Sequence, residues 1–138
     1  MRTIDLHPQC HAYPGELLLV ETSLERAKQG QPFSYSWDWE VLTASVDGVV
    51  VAAMAFTHSK WQRQLFVNMG GTHPDHRRQG HYRALWERLV EIAQERDAKT
   101  IASGYGIDNL ASAAMHKALG RPVFGIATRF DVPQKEVK

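Results

Sequence analysis

The chain changes its hydrophobic period once between Leu65 and Leu89, and this switch constrains the fold more than any other stretch. Leu65-Phe66-Val67 has strand composition, Pro74 stops the run, and after Gly80 the apolar residues Leu85, Leu89, Ile92 and Ala93 continue at helical spacing. The polar segment from Thr72 to Arg83 therefore spans a strand-to-helix junction. A helix leaves its first N–H groups without internal partners, its dipole favours negative charge there, and a glycine lets backbone approach a ligand closely. Arg77, Arg78 and Arg83 place cationic side chains beside those amides, a setting that suits a diphosphate. The plainer reading of Arg77 and Arg78 is a solvated charge pair at a helix start.

Arg77-Arg78-Gln79-Gly80-His81-Tyr82, following a strand and Pro74-Asp75, resembles the acyl-CoA pyrophosphate loop of the GNAT superfamily of N-acyltransferases, Arg/Gln-x-x-Gly-x-Gly/Ala. Tyr82 departs from it, standing where the family has a small residue that lets loop and cofactor pack closely. A second segment, Asn109-Leu110-Ala111-Ser112-Ala113-Ala114-Met115-His116-Lys117-Ala118-Leu119-Gly120, is similar to the family's later run of Asn, a small residue, Leu-Tyr and Leu-Gly-Phe. Here His116 replaces the tyrosine that protonates the departing thiolate, and Arg121-Pro122 replaces the closing phenylalanine. Together the two segments cover the second half of the chain, in the family's order.

The resemblance implies a mixed α/β fold with a largely antiparallel central sheet flanked by helices, abbreviated after the last helix. It also implies transfer of an acyl group, most simply acetyl, from acetyl-CoA to a primary amine in a ternary complex. Cofactor contacts carry over to Gly70, Gly71, Thr72, Arg77, Arg78, Gln79, Gly80, His81, Tyr82 and Asn109. An amine attacks only when unprotonated, so a base is required, and Glu40 and Tyr105 are its candidates. A backbone N–H of Gly70 to Thr72 would meet the developing oxyanion. His116 is the candidate general acid, because imidazole donates and accepts protons near neutral pH; the alternative is a partly buried surface histidine.

At 138 residues the chain is expected to be one domain, 1–138, able to bury a core without disulfides or a structural metal. With 43% hydrophobic and 22% charged residues it has ordinary globular composition, and a formal net charge of +1 offers no global attraction to nucleic acid. Cys10 is the sole cysteine, which excludes an internal disulfide framework. No apolar signal region or membrane-length run occurs, so a cytoplasmic protein without membrane contact is expected. His7 and His11 are separated by Pro8 and have no converging thiolates or carboxylates, so no metal site is expected.

Along the chain the pattern predicts a strand at Thr3 to Leu6, a helix from Pro14 to near Gly30, and a hairpin of Trp39–Val46 with Val49–Phe56 about Asp47-Gly48. Weak alternation in that hairpin predicts cover on both faces. Phe33, Tyr35, Trp37 and Trp39 alternate on one side of an extended segment, either as a core-facing edge or as an acceptor wall. Gly70-Gly71 in the next strand marks a bulge or close backbone approach, or else a bend before Pro74. A long helix, Tyr82 to Arg96, leads to a buried strand at Lys99 to Gly104, and Asp108 caps the last helix.

After Gly120 one strand, Val123 to Phe130, is expected, and its open edge points to a homodimer. Two readings from other classes stand beside the enzyme. One is a CoA-binding module without catalysis, favoured by Tyr82 and by the missing tyrosine at position 116. The other is a nucleic-acid-binding protein using Arg77, Arg78, Arg83, Trp37, Trp39 and Trp61, which lie in separate segments.

Overall fold

A computed structural model describes residues 1–8, 18–19, 39–104, 123–124 and 127–134. Strands β1 (Arg2–His7), β2 (Glu40–Val46), β3 (Val49–Ser59) and β4 (Gln64–Thr72) form an antiparallel meander, followed by one 3-10 turn at Pro74–His76 and helix α1 (His81–Glu95). Strand β5 (Thr100–Gly104) returns parallel to β4, and β6 (Val123–Phe124) and β7 (Ala127–Asp131) complete a sheet of order β1-β2-β3-β4-β5-β7-β6. This is the mixed, mainly antiparallel α/β architecture expected from the sequence. Asp47 and Gly48 turn the β2–β3 hairpin with φ of 51° and 82°, the left-handed pair that a tight two-residue turn demands.

Both faces of the central strands are covered, which is why their sequences alternate so weakly. On one face Leu42, Met54, Phe56, Leu65 and Val67 pack against Leu85, Trp86, Leu89 and Ile92 of α1. On the other, Val41, Ala53, Ala55 and Met69 pack with Leu18 and Leu19, which are helical as expected of that segment. The helix ends in a hydrogen-bonded reversal: Asp97 takes φ 57°, the Asp97 amide donates to the Gln94 carbonyl at 3.3 Å, and the Ala98 amide donates to the Ala93 carbonyl at 2.8 Å.

The end of the chain differs from the sequence reading. The single strand expected over Val123 to Phe130 is instead two short strands, paired Val123 to Thr128 and Phe124 to Ala127. Strand β7 lies inside the sheet between β5 and β6, so among the described residues Val123 to Phe130 does not form one long edge strand. The edge belongs to the two-residue β6, and short edge strands are a common way of blunting edge pairing.

A bulge in β4 positions the site. Ala55 pairs with Met69 but Phe56 pairs with Val67, so Asn68 is the extra residue. Side chains alternate across a strand, and one inserted residue moves every later position to the opposite face. Leu65 and Val67 accordingly face α1, Met69 joins the opposite core, and Gly70 comes back beneath α1. The bulge expected at Gly70-Gly71 thus lies two residues earlier, and Gly70 serves the other role a strand glycine takes, close approach.

Candidate active site

The turn from β4 into α1 is held by its own backbone. The His73 amide donates to the Val51 carbonyl at 2.7 Å, the His76 amide to the His73 carbonyl at 2.9 Å, and the Ala84 amide to the Gly80 carbonyl at 3.0 Å. Arg78 and Gly80 both adopt left-handed conformations, φ 64° and 79°. A Cβ at Gly80 would meet nothing within 4 Å, so glycine is required there for conformation and leaves the helix start open. From β1, Arg2 reaches over and donates through Nη1 to the Gly80 carbonyl at 3.0 Å.

Arg77, Arg78 and Arg83 are exposed around this turn. Among the described residues none of them pairs with a carboxylate, and Arg77 spends only its Nε–H, donated to the Thr72 carbonyl at 3.4 Å. Guanidinium groups without an ion pair beside a helix N-terminus favour negative charge locally in a chain of nearly neutral net charge.

His81 behaves differently from an exposed loop residue. It is 6% exposed, donates through Nε2 to the Gln79 side-chain carbonyl at 3.1 Å, and leaves Nδ1 buried with no partner among the described residues. Burial, then the positive charge of Arg2, then His76, hold its pKa below the ordinary 6.5, so the ring is neutral at physiological pH. His76 and His73 stack edgewise outside it, with centroids 6.2 Å from His81 to His76 and 5.6 Å from His76 to His73. Among the described residues no group of three His, Cys, Asp or Glu side chains is arranged to hold a metal ion.

The ladder between the parallel strands β4 and β5 ends where Val67 lies opposite Ser103, while β4 runs on to Thr72 beside β3. Beyond that point β4 carries Gly70, Gly71 and Thr72, and the structure brings these residues to the same corner as Arg77 to Tyr82. Tyr82 closes down on it: a Cβ at Gly70 would fall 2.7 Å from both Cε2 and Oη of the Tyr82 ring. Tyr105, Asn109 and His116 lie outside the described residues, as do Cys10, Phe33, Tyr35, Trp37 and the capping Asp108.

Glu40 is not placed as a base. It sits at the start of β2, in the row Glu40–Phe56–Val67, five residues or about 16 Å back along β4 from Thr72. Its carboxylate accepts two hydrogen bonds from Arg96, Nη1 to Oε2 and Nη2 to Oε1, each 2.7 Å, and Arg96 also stacks 5.7 Å from the Phe56 ring centre. Both oxygens of the Glu40 carboxylate are already engaged by Arg96, away from the Arg77–Tyr82 turn. Near it an open depression of about 650 Å³ is lined by His58, Lys60, Arg63, Arg96 and Asp97, at the opposite end of the sheet from the α1 N-terminus.

Sequence inspection missed two contacts, Arg2 to Gly80 and Tyr82 to Gly70. The second had a signal, a bulky residue at a position where the resemblance calls for a small one and a glycine in a strand interior.

A model of the GNAT acetyltransferase family matches residues 10–120 of the chain. Comparison with curated proteins finds no match. Similar solved structures include the ribosomal-protein-S18-alanine N-acetyltransferase of Escherichia coli, at 18% identity and TM-score 0.73 over 99% of this chain and 97% of that one. An IAA acetyltransferase from Bacillus cereus aligns at 15% identity and TM-score 0.75 over 95% and 99%. A putative acetyltransferase from Salmonella typhimurium, with its cofactor acetyl-CoA, aligns at 16% identity and TM-score 0.70 over 99% and 96%. At these identities the structural likeness is one of fold, the fold that places a strand, a glycine turn and a helix start at one corner of the sheet. The family match spans both the Arg77–Tyr82 turn and Asn109–Gly120, and on it the chain belongs to the GNAT acetyltransferase family and is an acyltransferase.

Proposed function

We propose that the protein transfers an acetyl group from acetyl-CoA directly to a primary amine, with the diphosphate resting on the Arg77–Tyr82 turn. The observation that carries this reading is the unopposed charge of Arg77, Arg78 and Arg83 around the open, glycine-capped start of α1. Charge-assisted hydrogen bonds from guanidinium and helix N–H groups are the strong ones in phosphate recognition. Beyond the turn the pantetheine arm would run past the end of the β4–β5 ladder, and an amide of Gly70 to Thr72 would receive the thioester oxygen.

In the reaction the amine nitrogen attacks the thioester carbon, a C–N bond forms, and the C–S bond breaks as the tetrahedral intermediate collapses. A backbone N–H aimed at the oxyanion stabilises that intermediate. The ammonium proton leaves to a base or water, and the thiolate takes a proton, which we assign to His116 on the register counted from Asn109. With Glu40 held by Arg96, the base is Tyr105 or a water. A non-catalytic CoA-binding module is the second reading, favoured by the Tyr82 ring lying where the family has a small residue.

Calorimetric titration of CoA into the wild type and into Gly80→Glu tests the site. A glutamate at this left-handed position brings strain, bulk and like charge, so Kd is expected to rise about 10²-fold or more, like-charge juxtaposition costing several kcal/mol. An unchanged Kd would place the cofactor elsewhere. Acetyl-CoA turnover across an amine panel separates the readings, since the module binds CoA and turns over none of the amines.

A further inference from the structure

We propose that Tyr82 is a specificity-determining residue that limits the donor to short, unbranched acyl thioesters; this rests on the function proposed above. Its ring is seated in the angle between the first turn of α1 and β4, with Oη and Cε2 each 2.7 Å and Cζ 3.1 Å from the point a Cβ at Gly70 would occupy. Gly70 has no positive φ, so its lack of a side chain answers to space and not to backbone conformation. The Asn68 bulge is what turns position 70 toward α1. The ring is no loose lid, because Tyr82 packs against the hydrophobic core between α1 and the sheet.

Position 82 is small in the pattern this turn resembles, which leaves the space between helix start and strand open. Here a large residue on the helix is matched by none on the strand, a volume-conserving exchange of the kind packed interiors accept. The ring therefore forms a fixed wall on the α1 side of the Gly70–Thr72 amides, the amides to which the proposed function gives the thioester oxygen. Room for an acyl chain is reduced on that side; because Tyr82 also closes the diphosphate turn, any effect on the whole cofactor is removed by referring each thioester to CoA in the same protein.

The test is calorimetric binding of CoA, acetyl-CoA and hexanoyl-CoA to the wild type, Tyr82→Phe, Tyr82→Leu and Tyr82→Ala, each acyl thioester referred to CoA in the same protein. The wild type should favour acetyl-CoA over hexanoyl-CoA by about tenfold or more, the scale on which a pocket resolves methylenes. Tyr82→Phe should keep that ratio, Tyr82→Leu should reduce it, and Tyr82→Ala should bring it within about threefold of unity. The wild-type ratio persisting in Tyr82→Ala, or Tyr82→Phe matching Tyr82→Ala, would overturn the assignment. CoA binding to none of the four would instead overturn the cofactor reading beneath it.

A ligand-free check uses Gly70→Ala, which should lower Tm by about 4 °C or more beside Tyr82 and by little beside Ala in the Tyr82→Ala background, as expected for relief of overpacking. Equal drops in both backgrounds would refute the contact.

Discussion

The two ends of α1 carry the same kind of side chain and use it in opposite ways. At the C-terminal end Arg96 is bound twice by Glu40 at 2.7 Å, Arg63 pairs with Asp97 at 2.6 Å, and Lys99 lies 3.4 Å from the same carboxylate. At the N-terminal end Arg77, Arg78 and Arg83 face solvent with no carboxylate among the described residues. Cations paired internally fasten the helix to the sheet, and cations left unpaired beside free helix N–H groups are poised for an anion. Concavity is no guide to which end works: among the described residues a depression of about 650 Å³ lies at the fastened one.

The largest effect expected at the working end concerns the chemistry. His116→Phe should keep fold and CoA affinity while lowering turnover about 10²-fold, the usual scale for a positioned acid, and should abolish a titration in the imidazole range of the pH profile. Turnover equal to wild type would leave thiolate release to water.

At the fastened end the effects should fall on stability. Arg96→Ala removes a guanidinium whose side chain is 28% exposed and strands a Glu40 carboxylate that is 22% exposed. Denaturant unfolding should show a loss of about 1–3 kcal/mol, in the range for charged hydrogen bonds partly screened by water. Glu40→Gln should cost less and leave turnover within about threefold; a collapse on the scale of a lost base would return Glu40 to the mechanism.

The smallest effect is a pH dependence at the working end. His81 titrates below 6.5 in the fold because burial and the charge of Arg2 oppose its protonation. The unfolded chain therefore binds the proton first as pH falls, and stability, full above pH 6.5, declines as pH drops below it. His81→Asn should flatten that part of a Tm-against-pH curve, and an unchanged curve would show that other groups carry it.

What could be read from the sequence was local. Asp47-Gly48 announced its hairpin because both residues tolerate the positive φ the turn needs. The β4 run, the Pro74 stop and the Leu85–Leu89–Ile92 spacing located the turn because each signal lies within a few residues of its partner. Contacts across long separations left no such mark: Arg2 and Gly80 are 78 residues apart, and Glu40 and Arg96 are 56 apart. Glu40 looked like a free carboxylate on a strand because nothing nearby in sequence shows the arginine that binds it. The bulge at Asn68 was equally hidden, since a bulge is a property of how β4 registers with β3. The stretch after Gly120 reads as one strand because Val123 to Ala127 is apolar apart from Gly125 and no proline or turn pair separates it from Phe130.

The contrast between the two ends is tested most directly by CoA titration calorimetry on the double variant Arg77→Ala/Arg78→Ala, with Arg96→Ala as control. The double variant should bind CoA about 10²-fold more weakly or worse, each charged hydrogen bond contributing about 1.5–3 kcal/mol, while Tm hardly moves. Arg96→Ala should do the reverse, lowering Tm and keeping Kd. Unchanged CoA affinity in the Arg77→Ala/Arg78→Ala protein would contradict the assignment of the α1 N-terminus as the cofactor site.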